Sequence, residues 1–149
     1  MEASVERIAD DWIEFQRYKD VERAPEEVFA RGWVLNDLAY DQPELAWAVI
    51  KDVIGRYAES DLSTESESEA QRILGMTAAG PIEDLLSYHG LDFIDRVEAE
   101  AKRDPRMSWT LGGVWQCGMS DDIFGRVERA AGGASYWSRE FSRRSDQLE

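Results

Sequence analysis

The chain has 149 residues, a mass of 17.0 kDa and 43% hydrophobic residues, enough for one domain (residues 1–149) with a core that needs no disulfides. Thirty-one acidic residues against seventeen basic ones give a net charge of −14, which repels nucleic-acid phosphates and anionic membrane surfaces and favours fast encounter with a basic protein. No apolar run reaches the ~20 residues of a membrane span, the start Met1-Glu2-Ala3-Ser4 carries no secretory pattern, and the lone Cys117 cannot close an internal bridge; a cytoplasmic protein is expected.

Val5, Ile8, Trp12 and Phe15 recur at spacings of three and four, predicting an N-terminal helix within residues 1–24 that opens near Ser4 as N-cap. Pro25 with Glu26-Glu27 reads as the start of a second helix carrying Phe29, Trp33, Leu35 and Leu38, because proline and acidic residues both suit a first turn. Pro43 opens a third, with Leu45, Ala46, Val49, Ile50, Val53, Ile54 and Tyr57 as its apolar stripe. Residues 59–69 hold five acidic and no basic residues and read as a loop into a helix start, with Thr64 and Glu67 spaced as a capping box. That helix carries Ile73, Leu74 and Met76 as far as Gly80-Pro81, where proline should kink or restart it.

A short helix from Ile82 to Tyr88 is expected to end at His89-Gly90, with Gly90 as the capping glycine. Leu91, Ile94, Val97 and Ala101 set the next, which stops before Pro105. Trp109 to Cys117 reads as a further helix in which Gly112-Gly113 permits close approach, and Cys117 as a buried, inert thiol. Ser120-Asp121-Asp122 caps a last helix bearing Ile123, Phe124, Val127 and Ala131, closed by Gly132-Gly133. Residues 132–149 form a tail with Trp137 and Phe141 at i,i+4; Trp137 is expected to fold back over the last hairpin, the alternative being an exposed anchor for a partner. Trp12, Trp33 and Trp47 are expected in the core. No run of alternating β-branched residues competes, so the fold is expected to be all-α.

The pattern nearly repeats 47 residues on (84 − 37 = 47). Leu35-Asn36-Asp37-Leu38 returns as Ile82-Glu83-Asp84-Leu85, and Trp47, Ile50 and Ile54 fall on Ile94, Val97 and Ala101. Fainter echoes, Arg96-Val97-Glu98 in Arg126-Val127-Glu128 and Leu74-Gly75 in Leu111-Gly112, suggest a shortened third unit. Two to three antiparallel hairpins within residues 26–131, stacked as a short HEAT-like array, are expected. An orthogonal helical bundle is the alternative.

Little in the chain points to chemistry. There is no phosphate loop, nucleophile elbow or paired-histidine metal motif, so no cofactor, metal or catalytic residue is assigned. Glu83 and Asp84 with the only histidine, His89, are the sole acid/base candidates, but they stand six and five residues before it and share no helical face with it. His89 beside Gly90 reads instead as a partner for carbonyls at a helix C-terminus. Asp37, Asp84 and Asp121 fall at corresponding places in the three units. They serve either to tie down the turns that follow or, aligned on one face, to receive a partner.

The strings Ala78-Ala79-Gly80-Pro81-Ile82-Glu83-Asp84-Leu85-Leu86, Trp33 with Asn36-Asp37, His89-Gly90 and Leu111-Gly112-Gly113-Val114-Trp115-Gln116 resemble a family of small uncharacterised bacterial proteins. The resemblance spans about residues 33–128. It implies a bacterial cytoplasmic helical protein and brings no activity, cofactor or catalytic residue with it.

The expected function is therefore a non-enzymatic, acidic protein-binding module. Its most concrete form is an immunity- or inhibitor-type protein that occludes a basic partner through Asp37, Asp84, Asp121, Glu83 and His89, with electrostatic steering speeding association. The alternatives are a nucleic-acid mimic acting on a DNA-binding defence protein, and an enzyme built on Glu83, Asp84 and His89.

Overall fold

Backbone capping by side chains opens four of the helices. Ser4 Oγ accepts from Arg7 N–H at 3.1 Å and opens α1 (Val5–Arg17). Ser68 Oγ accepts from Gln71 N–H at 3.1 Å while Gln71 Oε1 accepts from Ser68 N–H at 3.0 Å, a reciprocal box that opens α4 (Glu69–Thr77). Asp104 caps α6 (Pro105–Leu111), and Ser120 caps α7 (Asp121–Ala130). Proline sets two further starts: Pro25 precedes α2 (Glu26–Asp41), and Pro43 is the first residue of α3 (Pro43–Gly55). A 3₁₀ turn, Glu59–Leu62, follows α3, and a π turn, Ala78–Ile82, joins α4 to α5 (Glu83–Arg103). This computed structural model describes residues 4–18 and 23–132; Trp137 and Phe141 lie outside them.

The all-α expectation holds, with no strand among the described residues. Helix α1 packs on α2, α3 and α4, while α5 touches α2, α3, α6 and α7; α3 also reaches α6, so the units share one core. Trp12, 2% exposed, donates its Nε1–H to Thr77 Oγ1 at 3.0 Å, and that hydroxyl donates in turn to the Ile73 carbonyl at 2.8 Å. Arginines clamp the outside: Arg17 on Glu69, Arg56 on Asp10, and Arg96 bidentate on Glu44 at 2.7 and 2.8 Å. Exposed pairs of this kind contribute about 0–1 kcal/mol each, so apolar packing carries the fold.

The 47-residue correspondence survives in burial and in where the helix breaks. Leu35 and Ile82, Leu38 and Leu85, Trp47 and Ile94, and Ile50 and Val97 are all buried pairs. Gln42, between α2 and α3, has φ −137° and ψ 71°, and its counterpart His89 is the one non-helical residue inside α5, with φ −132° and ψ 29°. In the first unit Pro43 follows the break and the chain turns into a hairpin; in the second the helix resumes as a kinked continuation.

Several local expectations are corrected. Of the two outcomes expected at Pro81, the restart does not occur: the helix distorts into a π turn in which Glu83 N–H reaches back five residues to the Ala78 carbonyl, and the widened turn absorbs the missing donor. Gly90 does not cap a helix. A Cβ there would lie 3.3 Å from Ile123 Cγ2, so the glycine serves the close packing of α5 on α7. The Thr64–Glu67 box is displaced to Ser68 and Gln71, with Thr64 Oγ1 bonded to the Ser66 carbonyl instead. The Trp109–Cys117 helix is shorter and earlier: α6 ends at Leu111 in turns spanning three residues, and Gly113 passes close to Ala78. Trp12 and Trp47 are core, but Trp33 is 45% exposed, and Met76 and Leu91 also face out.

Candidate functional site

Trp33, Asn36, Asp37, Tyr40 and Asp41 recur at i, i+3, i+4, i+7 and i+8, which places all five along one stripe of α2. Opposite them, Asp84 and Tyr88, one turn apart on the first half of α5, complete a cleft of about 280 Å³. Asp37 and Asp84 are thus repeat-related residues that meet across one concavity. The π turn fixes the second wall, since it sets the rotation at which α5 leaves α4.

The walls are aromatic. Tyr40 and Tyr88, each exposed by more than half, meet edge to face with centroids 4.8 Å apart at 72°. Trp33 stacks on Phe29 at 5.6 Å and 9°, and Phe29 in turn stands edge-on to the buried Phe15 at 5.3 Å. The Trp33 indole, held by this stack, also lines the cleft. Asn36 adds an Nδ2 that is buried without a hydrogen-bond partner.

The electrostatics are one-sided. Among the described residues, Asp37, Asp41 and Asp84 form no ion pair, although arginines elsewhere clamp carboxylates across the helices. Burial pushes the Asp84 carboxyl above its ordinary range, with no cation to offset it. Among the described residues, no group of three or more His, Cys, Asp and Glu side chains could hold a metal ion.

The acid/base candidates point to separate partners. Glu83, 5% exposed, accepts from Cys117 Sγ at 2.8 Å and from the Trp115 backbone N–H, so it pins the loop between α6 and α7. Asp84, the next residue along the helix, lines the cleft. His89 Nε2 lies 2.8 Å from the Tyr40 carbonyl; since a carbonyl only accepts, Nε2 carries the proton and ties α5 to the last turn of α2. His89 thus does bind a helix C-terminal carbonyl, though one of α2. Asp121 does not join Asp37 and Asp84: it begins α7 and accepts from Gln116 Nε2 at 2.7 Å, holding its own turn.

Cys117 is exposed rather than buried, and its backbone is left-handed (φ 44°) in the loop between α6 and α7. Its thiol pKa is nevertheless raised, chiefly by the bond to Glu83, so it stays a poor nucleophile.

Glu83 is raised above its ordinary value by burial, against the two bonds it accepts. A carboxyl raised on folding stabilises the fold below its unfolded value (4.5 for Glu83, 3.8 for Asp84), and that contribution is lost as pH rises through the folded value. Glu83→Gln and Asp84→Asn are therefore both expected to raise Tm at neutral pH, with the gain shrinking toward acid. Thermal melts across this range would decide it; a lower Tm for Asp84→Asn at neutral pH would mean that its charge has a stabilising partner.

Trp33, Asn36, Tyr40, Asp41 and Tyr88 were missed as site residues by the sequence reading, although the 33/36/37/40/41 spacing was there to find. Residues 19–135 match the DUF6869 family of unknown function, and the chain belongs to that family. The matched span contains both walls of the cleft but begins after α1. No match was found among curated proteins or among solved structures. No helix among the described residues is long and apolar enough to cross a membrane.

Proposed function

We propose that this protein is a non-enzymatic binding module that receives a basic protein partner on the α2–α5 cleft, as an immunity or inhibitor protein occludes its target. The reading is carried by one observation: three carboxylates that form no ion pair among the described residues line a concavity together with exposed aromatic rings. Aromatic side chains dominate the energetics of many interfaces, and an uncompensated charge in a partly desolvated cleft is relieved by a cation from outside. The overall charge of −14 adds long-range steering. Glu83 is engaged by Cys117, His89 by the Tyr40 carbonyl, and Asp84 faces the cleft, a divergence that favours binding over acid/base catalysis. A cytoplasmic setting belongs to the same reading.

The test is capture of the partner from the native host at low and at high salt, with the wild-type chain and with the combined Asp37→Asn, Asp41→Asn and Asp84→Asn variant. A basic protein retained at low salt, released at high salt and lost by the triple variant is expected, with the change mainly in association rate. An acidic partner, or a basic one held equally by the triple variant, would sink the reading.

A further inference from the structure

Resting on the binding reading above, we infer that the cleft between α2 and α5 is a receptor for a single arginine side chain, with Asp84 as its anchoring carboxylate and the Trp33, Tyr40 and Tyr88 rings as its walls. Size is the first argument. A cleft of about 280 Å³ has room for one long side chain.

The chemistry of the walls is the second. A guanidinium is planar, permanently charged and weakly hydrated; it stacks on aromatic faces while its edge donates to carboxylates, often two at once. Here the Trp33 indole, stacked on Phe29, lines the cleft, and so do Tyr40 and Tyr88, which meet edge to face. Asp37 and Asp41 on α2 and Asp84 on α5 supply acceptors from both sides of the cleft. A lysine ammonium offers no plane to stack and holds its water more strongly. The chain uses related chemistry internally, where Arg96 lies over the Phe93 ring at 4.7 Å and forks onto Glu44.

The experiment is a ¹H–¹⁵N NMR titration of the full chain with N-acetyl-arginine amide, N-acetyl-lysine amide and choline, followed by an arginine-rich and a lysine-rich nonapeptide. The arginine derivative is expected to shift the Trp33 indole and the amides around Asp37, Asp84 and Tyr88, and to bind about tenfold more tightly than the lysine derivative. Asp84→Asn and Trp33→Leu should each weaken arginine binding about tenfold or more, with the folded spectrum retained. If both basic peptides bind equally at the cleft, the arginine receptor is wrong while the acidic binding surface stands; shifts confined to residues elsewhere would overturn both. Tighter binding of choline would make the cleft a quaternary-ammonium site and overturn the inference. Failure of both peptides to bind would remove the broader reading with it.

Discussion

A chain cut to residues 19–135, the span of the family match, is expected not to fold, although it contains the whole cleft. What it lacks is α1, and α1 is core. Ile8, Trp12, Ile13 and Phe15 are all at most 5% exposed, and Trp12 also holds the Thr77 hydroxyl at the approach to the π turn. Burying each large apolar side chain is worth about 1.5–3 kcal/mol, so these four contribute about 6–12 kcal/mol. That is comparable to the entire stability of an ordinary domain, about 5–15 kcal/mol. The loss is larger still because the faces of α2, α3 and α4 that α1 covers would be opened to water. Circular dichroism and thermal melting against residues 1–135 isolate the effect of the N-terminal segment. A cooperative melt within a few degrees of that reference would mean that α1 is dispensable, and the packing described for Trp12 would be wrong.

How much of this was legible beforehand follows from which signals are local. Helix starts at Ser4, Pro25, Pro43 and Ser120 were readable, because capping chemistry is decided within four residues. The repeat was readable as a burial pattern, and Ile50 and Val97 occupy matching buried positions. What failed was the conformation at Pro81 and His89, where tertiary contacts decide. A proline read in isolation kinks or restarts a helix, and the sequence does not say which; here a π turn carries the chain through without a restart, and Gly90 answers to Ile123, 33 residues later in sequence. Trp33 was misplaced for a related reason. An aromatic on an amphipathic helix is usually core, and only the assembled fold reveals that α5 leaves a gap beside it. The three aspartates separated likewise: Asp37 and Asp84 met because α2 packs on α5, while Asp121 stayed at its own turn.

Gly32→Ala is expected to be among the most damaging single substitutions, even though alanine is the better helix former by about 1 kcal/mol. A Cβ on Gly32 would lie 2.3 Å from Phe15 Cβ and 2.5 Å from Phe15 Cγ. Carbon atoms rest about 3.5–4.0 Å apart, so α1 and α2 would have to separate by more than an ångström. Overpacking of this kind costs about 1–3 kcal/mol or more, which outweighs the propensity gain; a net loss of about 1–2 kcal/mol and a fall in Tm of about 2–8 °C are expected. The matched control is Gly75→Ala in α4, where a Cβ meets nothing within 4 Å, and which should stabilise by about 0.5–1 kcal/mol. The two variants should therefore move Tm in opposite directions. Gly32→Ala should also disturb the site, because Phe15 backs Phe29 and Phe29 backs Trp33: pushing Phe15 away loosens the stack that holds the indole at the cleft. Trp33 chemical shifts that change in Gly32→Ala but not in Gly75→Ala would tie the α1–α2 contact to the geometry of the cleft. Unchanged shifts together with an unchanged Tm would mean that the two helices do not approach this closely.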